Sequence, residues 1–438
     1  MTVEPQATNR SFWRRWLDQP FIRSIGGVGG AAGLSQLAAI AVAPILARLY
    51  PAEAFGQFGV IVAYCNIAAA LLLFGLNDAI LAADDEAAAN QLLTAGVKIS
   101  AVALVPAAIV SAFAVNEGYF GLAPLPIAAL VVIVPLVFCL VLSSLLQASL
   151  ARRLRFRPLA AGYIAMGWSR AAGQLAGGAL GAAYGGLAGG ELAGRAIACR
   201  TMAKGLAASW RDMLAMPRRE WGATVRRYRH FPIQRTPSTL LSSIAVGMPV
   251  LMVTSLFGVG PGGQFSLMLT MLMGPVAIVQ RAVGDTFVGH FGTRYRQDRG
   301  AGRRFAAGAS VFALAGGAAA GAVLWLSGEW LFVLIFGPDW QVAGRMAALC
   351  APWIALMLPV AALSQILIVT HRPGLKLLFD VAFVGGLAIL QFLYQATARG
   401  DDALPFVRDL SLVCAAAYAF YIPLIAFALW RPGSVAAR

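Results

Sequence analysis

The chain has 438 residues, 59% hydrophobic and 12% charged, about half the charged share of a soluble globular domain. With a mean hydropathy of +0.74, that balance excludes an ordinary soluble enzyme, because one buried core cannot hold so much apolar sequence. The net charge of +15, from 34 Lys and Arg against 19 Asp and Glu, falls between apolar runs, so it reads as an orientation signal facing anionic headgroups and not as a nucleic-acid footprint.

Residues 1–23 form a basic tail with Arg10, Arg14, Arg15 and Arg23 set among Phe12, Trp13, Trp16 and Phe21, a mixture that suits the headgroup layer. A crossing helix needs about 20 apolar residues. Runs of that kind predict spans over 24–48, 55–81, 93–115, 124–150, 158–181 and 185–203, and then over 232–257, 263–285, 305–327, 343–369, 374–397 and 407–430. The first run is too long for a signal-peptide core and lacks a small-residue cleavage site, so it is expected to stay as a span. The fifth and sixth runs are Gly-rich and carry charges. The division is therefore a tail (1–23), a first lobe of six helices (24–203), a basic linker (204–230), a second lobe of six (231–430) and a tail (431–438).

Positive charge should alternate from loop to loop if these limits are right. It does: Arg152, Arg153, Arg155 and Arg157 follow the fourth span, and Lys204, Arg211, Arg218, Arg219, Arg226, Arg227 and Arg229 lie in the linker. Arg294, Arg296, Arg299, Arg303 and Arg304, then Arg372 and Lys376, continue the same side, while the other loops hold only Arg48, Arg345, Arg399 and Arg408. Both termini are expected on the cytoplasmic side. Asp84, Asp85 and Glu86 on that side run against the pattern, although acidic residues count little in it. In the linker, Leu206, Trp210, Met213 and Leu214 recur at helical spacing and predict an interfacial helix.

The two halves repeat. Gly56, Gln57 and Phe58 recur 207 residues later as Gly263, Gln264 and Phe265, and Asp78 recurs at that offset as Asp285. Pro44 pairs with Pro249 if one loop differs by two residues, and Ser144 and Arg152 pair with Ser364 and Arg372 at an offset of 220. Because six is even, both halves start on the same side and the repeats are parallel. The fold expected is an all-α polytopic membrane protein of about 12 spans in two six-helix lobes related by a pseudo-twofold.

Pro44 within the first span, then Arg48-Leu49-Tyr50, Glu53 before Phe55-Gly56, and Asn77-Asp78-Ala79 closing the second span resemble the opening of bacterial polysaccharide-biosynthesis flippases. The likeness continues through Tyr228, Arg229, Phe231 and Pro232, through Thr236-Pro237-Ser238, and through Trp340 and Ala351-Pro352-Trp353. It covers most of the chain with short motifs. This family of O-antigen and exopolysaccharide flippases belongs with the multidrug and toxin extruders and the lipid II flippases. The resemblance implies two lobes around a central cleft and transfer of a polyprenyl-pyrophosphate-linked oligosaccharide across the bacterial inner membrane by alternating access. It also implies a polysaccharide polymerase and a chain-length regulator as partners. Several members have fourteen spans, and here the count stops at twelve.

A charge in mid-membrane costs about 2.5 to 3.5 kcal/mol on insertion scales, so charges inside spans should face a cavity or a partner. Arg170, Arg195, Arg235 and Arg281 are the candidate substrate-binding cations, because the planar Arg fork suits phosphate oxygens. Glu191 lies four residues before Arg195, so the two can instead simply neutralise each other, and Arg235 and Arg281 can snorkel to the headgroups. Asp78, Glu191, Asp285 and Asp380 are candidates for coupling or gating. Asp78 and Asp285 could take up a proton or sodium ion, or merely hold neighbouring loops. Arg48 is expected at the outer end of its span, either as a gate contact to Glu53 or Glu329 or as an interfacial anchor. Glycines at spacing four, Gly173, Gly177 and Gly181 and then Gly190 and Gly194, permit close packing of two spans.

No cofactor or metal is expected. The five cysteines are scattered singly, His230, His290 and His371 lie apart at helix ends, and Gly26–Gly33 lacks the spacing of a phosphate loop. With no segment long enough for a nucleotide-binding domain, any energy must come from an ion gradient or from consumption of the product. The alternatives to a flippase are a multidrug extruder of the same fold and a membrane-embedded polymerase or acyltransferase. The second lacks a nucleophile, a paired carboxylate or a metal cluster at readable spacing.

Overall fold

The computed structural model describes residues 20–123, 125–206, 213, 215–364, 366–370, 372–397 and 402–430. Among these the chain is all helix and turn. The first half contains α1 (Pro20–Leu49), α2 (Ala52–Leu72), α3 (Leu76–Ala82), α4 (Glu86–Glu117), α5 (Leu130–Arg152), α6 (Phe156–Ala179) and α7 (Ala183–Lys204). After α8 (Arg218–Arg227), the second half contains α9 (His230–Phe257), α10 (Val259–Gln297), α11 (Arg299–Phe336), α12 (Gln341–Leu349), α13 (Ala351–Leu363), α14 (Ile366–Val369), α15 (Pro373–Thr397) and α16 (Ala403–Trp430).

Each expected span coincides with a helix or a broken helix. Among the described residues, eight are long and apolar enough to cross a membrane, and a ninth is the pair 338–349 and 351–360, bent by 57°. The fifth, sixth and eighth expected spans are α6, α7 and α10, of 24, 22 and 39 residues, which fall outside those nine. For α6 and α7 the reason is visible in sequence: glycines and internal charges replace the leucines of their neighbours. The second span is broken between α2 and α3, where Phe74 and Gly75 take left-handed φ values of 48° and 62°. Phe74 is strained there, whereas glycine is at home.

The helices are apolar outward. Val102, Val105, Ile109 and Phe113 line an exposed stripe on α4, and Phe312 and Leu326 stand out from α11. Meanwhile Gln174, Glu191, Thr254 and Asp380 are buried. This inversion is what a lipid solvent selects, because polar groups there must find partners inside the protein.

One face of the molecule gathers the basic loops. Arg153 pairs with Glu86 at 2.9 Å, Arg155 donates to the Gly205 carbonyl at 2.7 Å, and Lys98 donates to the Met216 carbonyl at 2.8 Å. Arg227 reaches Asp84 at 2.7 Å. The acidic loop that ran against the charge pattern is thus neutralised by basic loops of the same face, and Asp85 caps α4 by accepting from the Ala88 amide. In the linker, Leu206 and Met213 are buried, while Trp210 and Leu214 lie outside the described residues. Met213 and Ala215 are helical, most of the expected interfacial helix lies outside the described residues, and α8 follows it. The basic tails at 1–19 and 431–438 also lie outside the described residues.

Tyr228 staples the end of α8 to the first half, donating to the Asp84 carboxylate at 2.7 Å and accepting from the Asp84 amide at 2.9 Å. Tyr228→Phe is expected to lower stability by roughly 1 to 2 kcal/mol, measured as thermal unfolding of the purified chain. Burial, with the Asp84 carboxylate, raises the phenol above its ordinary value of 10. The neutral form is therefore favoured in the folded state, and the staple's stability is full below that pH and falls as pH rises past it. The wild type should lose the difference from Tyr228→Phe under those alkaline conditions.

The halves meet most closely at the opposite face. The buried core of the second half continues through Ala43, Leu46, Tyr50, Ala54 and Phe55 of the first. Trp340 donates from Nε1 to the Ala47 carbonyl at 3.0 Å, and its ring stands edge-on to Phe55 at 5.2 Å. Along this seam α2 and α10 touch backbone to backbone, and the touching residues are repeat equivalents. A Cβ on Gly56 would collide with the Val259 carbonyl, one on Gly263 with the Ala52 carbonyl, and one on Gly59 with Ser266. Each partner on α10 lies 207 positions after one on α2, so the pseudo-twofold axis passes through this crossing.

Candidate functional site

The first lobe holds a buried charge cluster between α6 and α7. These helices approach to backbone contact: Gly173 faces Gly190 and Gly177 faces Gly186, with no room for a side chain. Of the expected stripe, Gly181 instead turns the chain at φ 69°, and a Cβ there would meet nothing within 4 Å. Tyr50 locks the pair by donating to the Gln174 carbonyl at 2.6 Å, and Gln174 donates to the Leu187 carbonyl at 3.2 Å. Gly194 leaves space for the Arg170 backbone, so Arg170 sits beside Glu191. Its Nη1 lies 3.3 Å from Glu191 Oε2, while Arg195 Nε donates to Oε1 at 2.9 Å.

Glu191 is thus shared. Its side chain is 6% exposed, whereas those of Arg170 and Arg195 are 20% and 22% exposed. The cluster carries two cations to one anion, and each guanidinium keeps N–H donors beyond those used on Glu191. The i,i+4 neutralisation read from sequence is present, and Arg170 makes it a triad with one positive charge left over.

The second lobe holds a different cluster. Asp380 on α15 accepts from Lys376 Nζ at 2.6 Å and from Ser242 Oγ of α9 at 3.1 Å, and Lys376 also donates to Ser242 at 2.8 Å. The Asp380 side chain is 5% exposed and that of Lys376 is 48% exposed. Sequence reasoning named Asp380 but placed Lys376 among the loop charges. The missed signal was the same four-residue spacing that linked Glu191 to Arg195.

Asp78 and Arg235 meet across the lobes. Arg235 of α9 lies 3.5 Å from Asp78 of α3, at the face of the basic loops, with the side chains 55% and 34% exposed. The Gly75 turn makes room for this, since a Cβ there would sit 3.0 Å from that of Arg235. Arg235 is therefore paired with a carboxylate of the other half. At the opposite face Glu329 accepts from Gln341 at 2.6 Å and Arg345 at 3.2 Å. The gate partner expected for Arg48 is thus taken by Arg345, and Arg48 is exposed at the end of α1 with no ion pair to Glu53. Arg281 and Asp285 lie on α10, and their side chains are outside the described residues. Among the described residues no group of three His, Cys, Asp or Glu is placed to hold a metal.

A family model described as "Polysaccharide biosynthesis protein" matches residues 45–345. No curated protein sequence matches the chain. Among solved structures, the chain is similar to the lipid II flippase MurJ in an inward closed conformation, at 10% identity over 92% of this chain and 87% of that one, with a TM-score of 0.71. It is also similar to an inward-facing multidrug resistance MATE family transporter of the MOP superfamily, at 13% identity over 92% and 94%, with a TM-score of 0.63. A MOP superfamily transporter from Pyrococcus furiosus aligns at 14% identity over 93% and 95%, with a TM-score of 0.59. At these identities the likeness is one of fold: two six-helix lobes of the kind expected from sequence.

Proposed function

Because the chain belongs to the polysaccharide biosynthesis protein family, we propose that it flips a polyprenyl-pyrophosphate-linked oligosaccharide across the bacterial cytoplasmic membrane by alternating access. The observation that carries the reading is the triad of Arg170, Glu191 and Arg195. A buried carboxylate holds two arginines in fixed rotamers, so their remaining donors are preorganised for a diphosphate at little entropic cost. In the proposed topology the basic loops face the cytoplasm with both termini, and the Asp78–Arg235 pair lies at the inner end of the lobe interface. Releasing that exposed pair costs little, which suits a contact that must break and re-form in each cycle. The packed α2/α10 seam is then the closed outer gate.

Arg281 and Asp285, on the same helix as the seam, are proposed to line the route. Asp380 carries its own cation in Lys376, so coupling through it requires Lys376 to move or to lose its proton. The ion gradient, the membrane lipids and a polymerase with its chain-length regulator complete the proposed setting.

The test is complementation of a deletion strain, scoring lipid-linked oligosaccharide retained in the inner leaflet. Wild type should clear it. Arg170→Ala should fold, since Glu191 keeps Arg195, yet lose roughly ten- to a hundredfold in transport for one charge-assisted contact. Full activity in that variant would remove Arg170 from the site. Normal clearance without the protein, with drug resistance altered, would overturn the flippase reading itself.

A further inference from the structure

The face remote from the basic loops carries a cleft that the transport reading does not use. It is about 420 Å³ in volume and opens at the ends of α11, α12 and α16. Ala348, Leu349, Leu404 and Pro405 give it an apolar lining, with Trp325 on one side, and Glu329, Arg345, Asp402 and Arg408 contribute its charges. Trp325 and Trp330 are 70% and 64% exposed on α11, the amphipathic aromatics that mark a membrane–water boundary. An apolar lining with charged groups at helix ends is the profile of a lipid, glycerol end inward and headgroup at the boundary.

The charges narrow the headgroup. Among the described residues two cations and two anions line the cleft, a balance that offers no net attraction for an anionic lipid. Arg345 uses Nε on Glu329 and retains the two Nη groups of its fork for phosphate oxygens. Arg408 is shared with Asp409 at 3.0 Å, which further lowers the positive potential. Asp402 is exposed and, among the described residues, accepts from the Leu404 amide through Oδ1, which leaves Oδ2 to accept from a primary ammonium. A quaternary ammonium has no N–H to offer.

We infer that this cleft binds a zwitterionic phospholipid whose headgroup is a phosphate and a primary amine, with the phosphate on Arg345 and Arg408 and the ammonium on Asp402. The inference does not rest on what the protein transports. It joins an apolar lining, a balanced set of charges and a boundary position in one site.

The experiment uses the full chain, purified and equilibrated in mixed micelles holding equal amounts of phosphatidylethanolamine, phosphatidylcholine and phosphatidylglycerol, with retained lipids counted by native mass spectrometry. Wild type should retain phosphatidylethanolamine roughly tenfold over either competitor, the size of one charge-assisted hydrogen bond. Asp402→Asn should bring its retention down to that of phosphatidylcholine, and Arg345→Gln should lower both zwitterions together. Glu117→Gln, an exposed change elsewhere, is the control and should leave the preference intact. Phosphatidylglycerol retained as well as phosphatidylethanolamine, or a preference untouched by both cleft variants, would overturn the inference. Because these side chains are exposed, folding is expected to survive, and an unchanged melting temperature checks that.

Discussion

Replacing Gly263 by alanine is expected to spring the α2/α10 seam apart. An added methyl would lie 2.9 Å from the Gly56 nitrogen and closer still to the Ala52 carbonyl, and neither is a side chain that can swing aside. Overpacking of this kind costs about 1 to 3 kcal/mol, and with backbone on both sides the upper figure applies. A 3 kcal/mol penalty on the closed arrangement alone shifts the lobe equilibrium roughly a hundredfold. The readout is alkylation of Ser266→Cys in a background without other cysteines. Ser266 is buried beneath Gly59, so the thiol should be protected in the otherwise unchanged chain and reactive once Gly263→Ala is added. Gly260→Ala is the matched control: three residues earlier on the same helix, its methyl would meet only Glu53 Oε1 at 3.6 Å. If both variants leave the thiol protected, the seam is not a moving contact.

Glu191→Gln is expected to destabilise the fold by about 3 kcal/mol, near the lower bound for removing one partner of a buried ion pair. The amide is nearly isosteric but keeps only one accepting oxygen where both Oε1 and Oε2 accept from arginines, so the cost combines the lost charge with one lost hydrogen bond. Two guanidiniums that shared one carboxylate would face each other with none, and both side chains are mostly buried. Arg170→Leu should cost far less, because it leaves Glu191 and Arg195 as a neutral pair. Adding Arg170→Leu to Glu191→Gln should recover part of the loss. Thermal unfolding in lipid nanodiscs measures all three, and a Glu191→Gln chain as stable as wild type would mean the arginines are solvated by something other than Glu191.

The fold was legible because lipid imposes a blunt rule: an apolar run of sufficient length must be helix, and the loops sort by charge. The 57° bend between Leu349 and Ala351 was not, since one continuous apolar run covers a straight helix and a bent one equally. Pro352 and Pro359 were its only local signs. The break before Leu76 was likewise hidden, although Gly75 marks it. Within the charge clusters, contacts four residues apart could be read directly, as for Glu191 with Arg195. Contacts between helices could not: nothing in sequence brings Arg170 to Glu191 or Arg235 to Asp78. For Arg48 the sequence left a gate contact and an interfacial anchor open: Gln341 and Arg345 occupy Glu329, and the exposed Arg48 at the end of α1 agrees with the anchor.

The α2/α10 seam has one more consequence. Its glycine contacts are reciprocal: Gly56 meets Val259, the equivalent of Ala52, and Gly263 meets Ala52, which is the rule of an isologous dimer interface. A half-length chain of six spans could therefore have built this crossing with a second copy of itself, both inserted the same way round. Fusion of two such genes would have preserved the crossing while freeing the halves to diverge. The unlike clusters record that divergence: two arginines around a glutamate in one half, a lysine, an aspartate and a serine in the other.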